Sequence, residues 1–136
     1  FGNYDKIKIL PLICYEIIYS GKLSNDFDYN IIINISEDGW FGNSIGPYQH
    51  FAHTVFRSIE YGKYTLRSAN NGISAIVDPS GAILEKININ SEGVISIKQI
   101  KKVDKTLFSE LGDKMYFLII LLYIFLIFLF MKLKNE

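Results

Sequence analysis

Cysteine occurs once in the 136 residues, at position 14, so no disulfide within the chain can staple it. Net charge is missing as well, because 14 basic and 14 acidic side chains cancel. That balance argues against a nucleic-acid partner, which would call for a basic surplus to neutralise phosphates. An apolar content of 49% argues equally against a disordered tail. Arginine (2) and alanine (4) are scarce, whereas isoleucine (23), lysine (12) and asparagine (10) are abundant. This is the bias of AT-rich codons rather than a demand of the fold. Motifs built on Ile or Lys therefore carry little weight, while Trp40, Cys14, Arg57, Arg67, His50, His53 and the Gly and Pro positions stand out. The chain opens on Phe1 and lacks the charged, apolar and small-residue pattern of a signal peptide. It is expected to be the C-terminal part of something longer. No internal repeat is present.

The apolar residues are unevenly spread. From Met115 to Met131 there are 17 in succession, and the rest of the chain has the composition of an ordinary soluble domain. At 1.5 Å per residue the run spans ~26 Å as a helix, slightly short of the ~30 Å hydrocarbon core of a bilayer. Lys114, Lys132 and Lys134 flank it and can snorkel, and Tyr116 sits where an interfacial aromatic would. A buried core helix is the alternative, but a domain this small has no room to surround a run without a polar face. The expected division is therefore a globular part over 1–113, a transmembrane helix over 114–133 and a short tail at 134–136. Orientation stays open on charge alone, since Lys101, Lys102, Lys105 and Lys114 face Lys132 and Lys134 across the run.

Within the globular part, Lys6 to Ile13 and Tyr29 to Ile35 read as strands buried on both faces, because their apolar residues do not alternate. Pro11 limits the ladder of the first on one side. Tyr15 to Tyr19 predicts a short helix that Ser20-Gly21 stops, and Ser24 to Asp28 reads as loop. Two buried strands joined through a helical segment indicate an α/β layer. Ser36 to Pro47 reads as a loop rich in glycine, and Tyr48 to Tyr61 as a helix with Phe51, Val55 and Ile59 on one face. Tyr64 to Ala69, Ile73 to Val77 and Ala82 to Ile87 read as strands separated by Asn70-Asn71-Gly72, which needs positive φ, and by the tight turn Asp78-Pro79-Ser80-Gly81. A further strand is possible at Gly93 to Ile97.

Cys14 follows the first strand at once. Its simplest role is that of a small buried hydrophobe. A nucleophile is the alternative, because a strand that breaks into a helix holds a side chain rigidly, and the N–H groups of the next turn point at a developing oxyanion. Such a helix start also favours thiolate over thiol. Glu16 adds a carboxylate nearby. His50 and His53 have a spacing that can share a metal, but no third ligand or acidic cluster accompanies them, so a structural or surface pair is expected. Arg57 and Glu60 read as a helix-face ion pair, and Arg67 as a buried partner for a carboxylate. Gly39, Gly42 and Gly46 lack phosphate-loop spacing. No metal or other cofactor is expected.

These segments together carry a resemblance. Pro11-Leu12-Ile13-Cys14-Tyr15-Glu16-Ile17, Asn34-Ile35-Ser36-Glu37-Asp38-Gly39-Trp40-Phe41-Gly42, Ser44-Ile45-Gly46-Pro47-Tyr48-Gln49-His50-Phe51, Arg57 with Glu60, Leu66-Arg67-Ser68-Ala69-Asn70-Asn71-Gly72 and Asp78-Pro79-Ser80-Gly81 stand in order along the chain. They closely resemble the C-terminal portion of the apolipoprotein N-acyltransferase family, the membrane-bound bacterial branch of the nitrilase (carbon-nitrogen hydrolase) superfamily. The resemblance implies an α/β fold, part of a nitrilase-type αββα sandwich, followed by one C-terminal transmembrane helix. It implies a bacterial inner-membrane location with the catalytic portion facing the periplasm. It further implies that a cysteine takes an acyl chain from a phospholipid as a thioester and passes it to the N-terminal amine of a diacylglyceryl apolipoprotein. By matching position Cys14 would be the nucleophile, with Tyr15 and Glu16 beside it and Glu16 steadying charge around the reacting centre. Trp40 matches an aromatic on a mobile loop that lines the lipid entrance, and His50 falls in a block that positions that loop.

The family's general-base Glu and oxyanion-holding Lys precede the cysteine by a long stretch, whereas only 13 residues precede Cys14 here. Lys6 and Lys8 lie too close to it to take the lysine position. A free thiol, with a pKa near ~8.5, stays mostly protonated at neutral pH without a base. The chain alone is therefore expected to be inactive and to depend on an upstream part that supplies Glu and Lys. Two other readings stay open. A soluble-type nitrilase or amidase acting on small carbon-nitrogen substrates would share Cys14 and the hairpin but has no reason to carry the apolar tail. A membrane-anchored remnant of a broken gene would have lost roughly half of its sheet partners.

Overall fold

The computed structural model describes residues 7–21, 23, 29–101 and 103–134. The Ile-rich runs on either side of Cys14 form two parallel strands, β1 (Ile9–Ile13) and β2 (Ile31–Glu37). A third parallel strand, β3 (Tyr64–Asn70), pairs with β2, and the antiparallel strands β4 (Ser74–Val77) and β5 (Ile83–Ile87) complete a sheet of order β1-β2-β3-β4-β5. Pro11 is accommodated because β1 is an edge strand. The register sets Leu12 opposite Asn34, Asn34 opposite Arg67, and Arg67 opposite Ala75.

Local chemistry fixes the connections. A 3₁₀ turn, Cys14–Ile18, follows β1 where the sequence predicts a short helix one residue later. Helix α1 (Gly46–Tyr61) joins β2 to β3, starting two residues before the predicted Tyr48 because Pro47 suits a first helical turn. It ends at Gly62, whose φ of +62° supplies the left-handed cap. Asn71 takes φ +53° in the β3–β4 turn, and Asp78 Oδ1 accepts the N–H groups of Ser80 and Ala82 in the β4–β5 turn. The stretch Gly93 to Ile97 is irregular rather than a strand. The predicted loop at 24–28, together with Lys6, Lys102 and the tail beyond Lys134, lies outside the described residues.

The core lies between the sheet and α1. Leu12, Ile17, Tyr29, Ile32 and Tyr61 form one buried cluster, and Phe51, Ile73, Ala75 and Val77 form another. Packing a single helical layer on the sheet corrects two expectations. First, β1 and β2 are not covered on both faces: Ile13 is 69% and Ile35 60% exposed. The non-alternating Ile runs are real, but the second face is covered only in part: Ile31 is buried and Ile33 shares a cavity with Gly93, Val94 and Ile95, while Ile13 and Ile35 stay bare at the strand ends. Second, α1 buries the stripe Phe51, Val55 and Ile59 only in part: Phe51 joins the core and Val55 packs against it, but the buried face extends to polar residues. It buries Pro47, His50, Phe51, Thr54, Arg57, Ser58 and Tyr61, and leaves Ile59 half exposed.

After an irregular stretch, a short helix α2 (Leu107–Leu111) packs on the end of α1, where Phe108 meets Tyr61 edge to face at 6.4 Å. Helix α3 (Lys114–Lys134) follows. Within its 21 residues an 18-residue window has a mean hydropathy of 2.6 with none of it buried, so the helix is long and apolar enough to cross a membrane. The architecture is thus α/β with one apolar C-terminal helix, as the sequence predicts.

Candidate active site

Cys14 sits where β1 ends, and its φ of +50° is a left-handed conformation that a residue with a Cβ adopts only when its surroundings hold it there. Two side chains do so. Glu16 Oε2 accepts the N–H of Ile13 at 2.7 Å. Asn34 Nδ2 donates to the carbonyls of Leu12 and Cys14 at 3.1 and 3.3 Å. The cysteine backbone is therefore clamped on both sides, and its half-buried side chain stands at the end of the strand.

Behind the sulfur is a buried polar cluster. Ser36 Oγ lies 3.7 Å from Cys14 Sγ and donates to Asp38 Oδ1 at 2.8 Å. Asp38 has no exposed surface. Arg67 Nη2 donates to both its oxygens at 3.0 and 2.8 Å, and His50 Nδ1 lies 2.9 Å from Oδ1. A carboxylate can only accept, which assigns the Nδ1 proton to His50. Arg67 also donates to Asn34 Oδ1 and to the Ile73 carbonyl, so one guanidinium ties β2, β3 and the β3–β4 turn together. Burial by itself raises the Asp38 carboxyl. The hydrogen bonds from His50 and Ser36 and the charge of Arg67 outweigh it and hold Asp38 below the usual carboxylate range. Burial likewise lowers Arg67, against the opposing pull of Asp38.

An aromatic layer covers His50. The Tyr15 ring stacks on the imidazole at 5.1 Å, and Phe41 meets it edge-on at 5.7 Å. Phe41 belongs to the short 3₁₀ turn Gly39–Phe41 that opens the β2–α1 loop. Gly46 lets it pack, since a Cβ there would stand 2.4 Å from the ring. Glu37 accepts from the Gly39 N–H and from Asn70, pinning the start of the same loop.

Of the residues singled out from sequence, Cys14, Tyr15 and Glu16 share one turn, with Glu16 engaged by the backbone of Ile13. Trp40 is 88% exposed at the loop surface, and its neighbour Phe41 makes the contact with Tyr15, at 6.2 Å. Arg67 has the buried carboxylate partner expected of it, and Arg57 pairs with Glu60 at 2.9 Å. Arg57 also donates to the Ile18 carbonyl, which docks α1 on the turn after Cys14. Sequence reasoning missed Asn34, Ser36 and Asp38 as a set. Their signal is an alternation: Asn34 and Ser36 at every second position of an Ile-rich strand, continued by Asp38 just beyond its end.

Comparison with known proteins adds to this geometry. The carbon-nitrogen hydrolase family model matches residues 2–104. A protein of Rickettsia bellii is 44% identical over 125 residues, covering 90% of this chain and 24% of its own length. Relatives from Rickettsia prowazekii and Bradyrhizobium diazoefficiens are 47% and 40% identical, over 79% and 76% of this chain and 22% and 20% of their own lengths. All three are named apolipoprotein N-acyltransferase. The chain spans about a quarter of the length of the curated relatives it matches.

Proposed function

The chain belongs to the carbon-nitrogen hydrolase family, and from that premise we propose that it is the nucleophile-bearing part of a membrane-anchored N-acyltransferase that acts on lipoproteins. The observation that carries this reading is Cys14, held at φ +50° at the end of β1 by Glu16 and Asn34. The names of the relatives supply the acceptor class. The apolar helix α3 favours a lipid donor over a small soluble carbon-nitrogen substrate.

In the proposed reaction, Cys14 Sγ attacks the ester carbonyl carbon of a phospholipid acyl chain. The carbon–sulfur bond forms, the carbon–oxygen bond breaks, and the proton from the thiol passes to the departing lysophospholipid alkoxide. The N-terminal amine of a diacylglyceryl apolipoprotein then attacks the thioester. A carbon–nitrogen bond replaces the carbon–sulfur bond, and the thiol regains a proton. Tyr15, at the edge of the site, and exposed Trp40 suit contact with the acyl chains, while Glu16 maintains the turn that presents the sulfur. The general base and the cation for the oxyanion are a Glu and a Lys of an upstream part of the enzyme, and the chain without that part is inactive. Residues 114–133 anchor the protein in the bacterial inner membrane with the sheet on the periplasmic side, and 134–136 form a short tail.

The test is to purify the full-length protein from membranes and incubate it with phospholipid. A hydroxylamine-sensitive acyl adduct on the Cys14 peptide is expected in the wild type and absent from Cys14→Ala, with transfer to a diacylglyceryl peptide lost alongside. Transfer retained by Cys14→Ala would refute the reading.

A further inference from the structure

The hydrogen bonds around Ser36 contain a conflict that one proton must resolve. Its hydroxyl lies within reach of two acceptors, Asp38 Oδ1 at 2.8 Å and Cys14 Sγ at 3.7 Å, and it has a single hydrogen to give. While Cys14 carries its own proton, the hydroxyl points at Asp38 and its oxygen lone pair faces the thiol. Once the sulfur loses that proton, the hydroxyl can turn towards it. Asp38 is not stranded by the turn, because Arg67 and His50 continue to hold its two oxygens. The side chain that gives up a hydrogen bond is thus the one already over-provided with donors.

We propose that Ser36 is a catalytic hydroxyl of this site, donating its hydrogen bond to the Cys14 thiolate, with Asp38, Arg67 and His50 as positioning residues that free it to do so. The proposal rests on Cys14 being the nucleophile. Ser36 is almost fully buried and held on β2, so its hydroxyl is shielded from water and fixed beside the half-buried sulfur. A hydrogen bond to an ion in such a setting is stronger than one between neutral groups. The titratable and charged groups around the sulfur are Tyr15 and Glu16 on its own turn, Asp38 behind Ser36, His50 on α1, and Arg67 on β3, whose charge interacts with Cys14. Asp38 opposes a thiolate and Arg67 favours it, so their pair leaves Ser36 as the uncompensated donor.

The experiment uses the full-length protein in detergent, with two readouts: the pH profile of Cys14 alkylation by iodoacetamide, read on its peptide by mass spectrometry, and the rate of thioester formation from phospholipid at saturating donor. Ser36→Ala is expected to displace the alkylation profile to higher pH and to slow thioester formation about tenfold, the effect of one hydrogen bond to a charged group. Ser36→Thr and Ser36→Val fill the same volume and differ only in the hydroxyl, so this pair separates hydrogen bonding from packing. Thr should behave as wild type and Val as Ala. A Cys14 adduct that forms equally fast in Thr and Val, with superimposable alkylation profiles, would overturn this proposal alone. Absence of any Cys14 adduct from the wild type would overturn it together with the nucleophile reading.

Discussion

Asp38 receives hydrogen bonds from three side chains on three different elements and exposes none of its surface, so it couples stability to the geometry behind Cys14. Asp38→Ala would leave the Arg67 guanidinium buried without its counter-charge, at a cost of about 3–5 kcal/mol, and should lower the melting temperature accordingly. The pH dependence follows from the depressed carboxyl. Burial raises it, but the bonds from His50 and Ser36 and the charge of Arg67 bring it below its ordinary value. The unfolded chain takes up a proton near pH ~3.9, where the folded chain does not. The contribution is therefore present above that pH and is lost as pH falls through the lower folded value. Melting curves from about pH 6 to pH 3 should show wild type losing stability with acid and Asp38→Asn losing less. The variant slope should not vanish, since Glu37, through Asn70 and the Gly39 N–H, is also held low. Gly72 belongs to the same cluster: a Cβ there would stand 2.2 Å from Asp38 Oδ2, so Gly72→Ala should cost about 1–3 kcal/mol and show in the same melts. At this scale the sequence reveals need better than partnership. Arg67 in a strand demands a carboxylate, but Asp38 sits among loop-forming glycines, and only the folded register brings the two together.

Helix α1 shows why elements are easier to read than their faces. Its apolar residues mark a stripe through Phe51, Val55 and Ile59, yet the buried side also carries His50, Thr54, Arg57 and Ser58. These polar groups are satisfied by other elements: Ser58 Oγ bonds Thr65 Oγ1 at 2.7 Å, and Arg57 donates to the Ile18 carbonyl. Hydrophobic periodicity cannot register partners of this kind. The turns at Asn71 and Asp78 were legible because their chemistry is local, and the strands of the hairpins followed from them. Burial of β1 and β2 was not, because it depends on a layer that no neighbouring residue encodes. The far end of α1 is tied down by Thr106, which caps α2 through the Ser109 N–H at 3.0 Å and donates to the Glu60 carbonyl. Thr106→Ala removes both bonds and should destabilise α2 by about 1 kcal/mol. Faster hydrogen exchange confined to residues 107–111 and the last turn of α1 would be its signature, and unchanged exchange there would refute the capping role.

Taken whole, the molecule sets the Cys14 sulfur and its apolar helix at opposite ends of α1. His50 lies behind Cys14 near the start of that helix, while Phe108 and Thr106 bring the chain to α3 beside Tyr61 at its end. Eleven residues at 1.5 Å each put those ends about 17 Å apart. The route from Thr106 to Lys114 passes through Gly112, whose φ of +52° breaks the helical path and lets α3 take its own direction. No acidic or basic side chain interrupts α3 between Lys114 and Lys132, so its attachment to a membrane should depend on hydropathy alone. An arginine at the centre of such a helix opposes insertion by about 2.5–3.5 kcal/mol. Two of them, Leu122→Arg with Phe125→Arg, should roughly cancel the favourable transfer of several apolar neighbours. The protein should then move from the carbonate-resistant membrane pellet to the extractable fraction. The same two arginines at the end of the helix, as Lys132→Arg with Lys134→Arg, add no charge to the apolar run and should leave the protein in the pellet. If the central pair is retained as firmly as wild type, α3 is held by protein contacts rather than by lipid, and the anchoring role proposed for it fails.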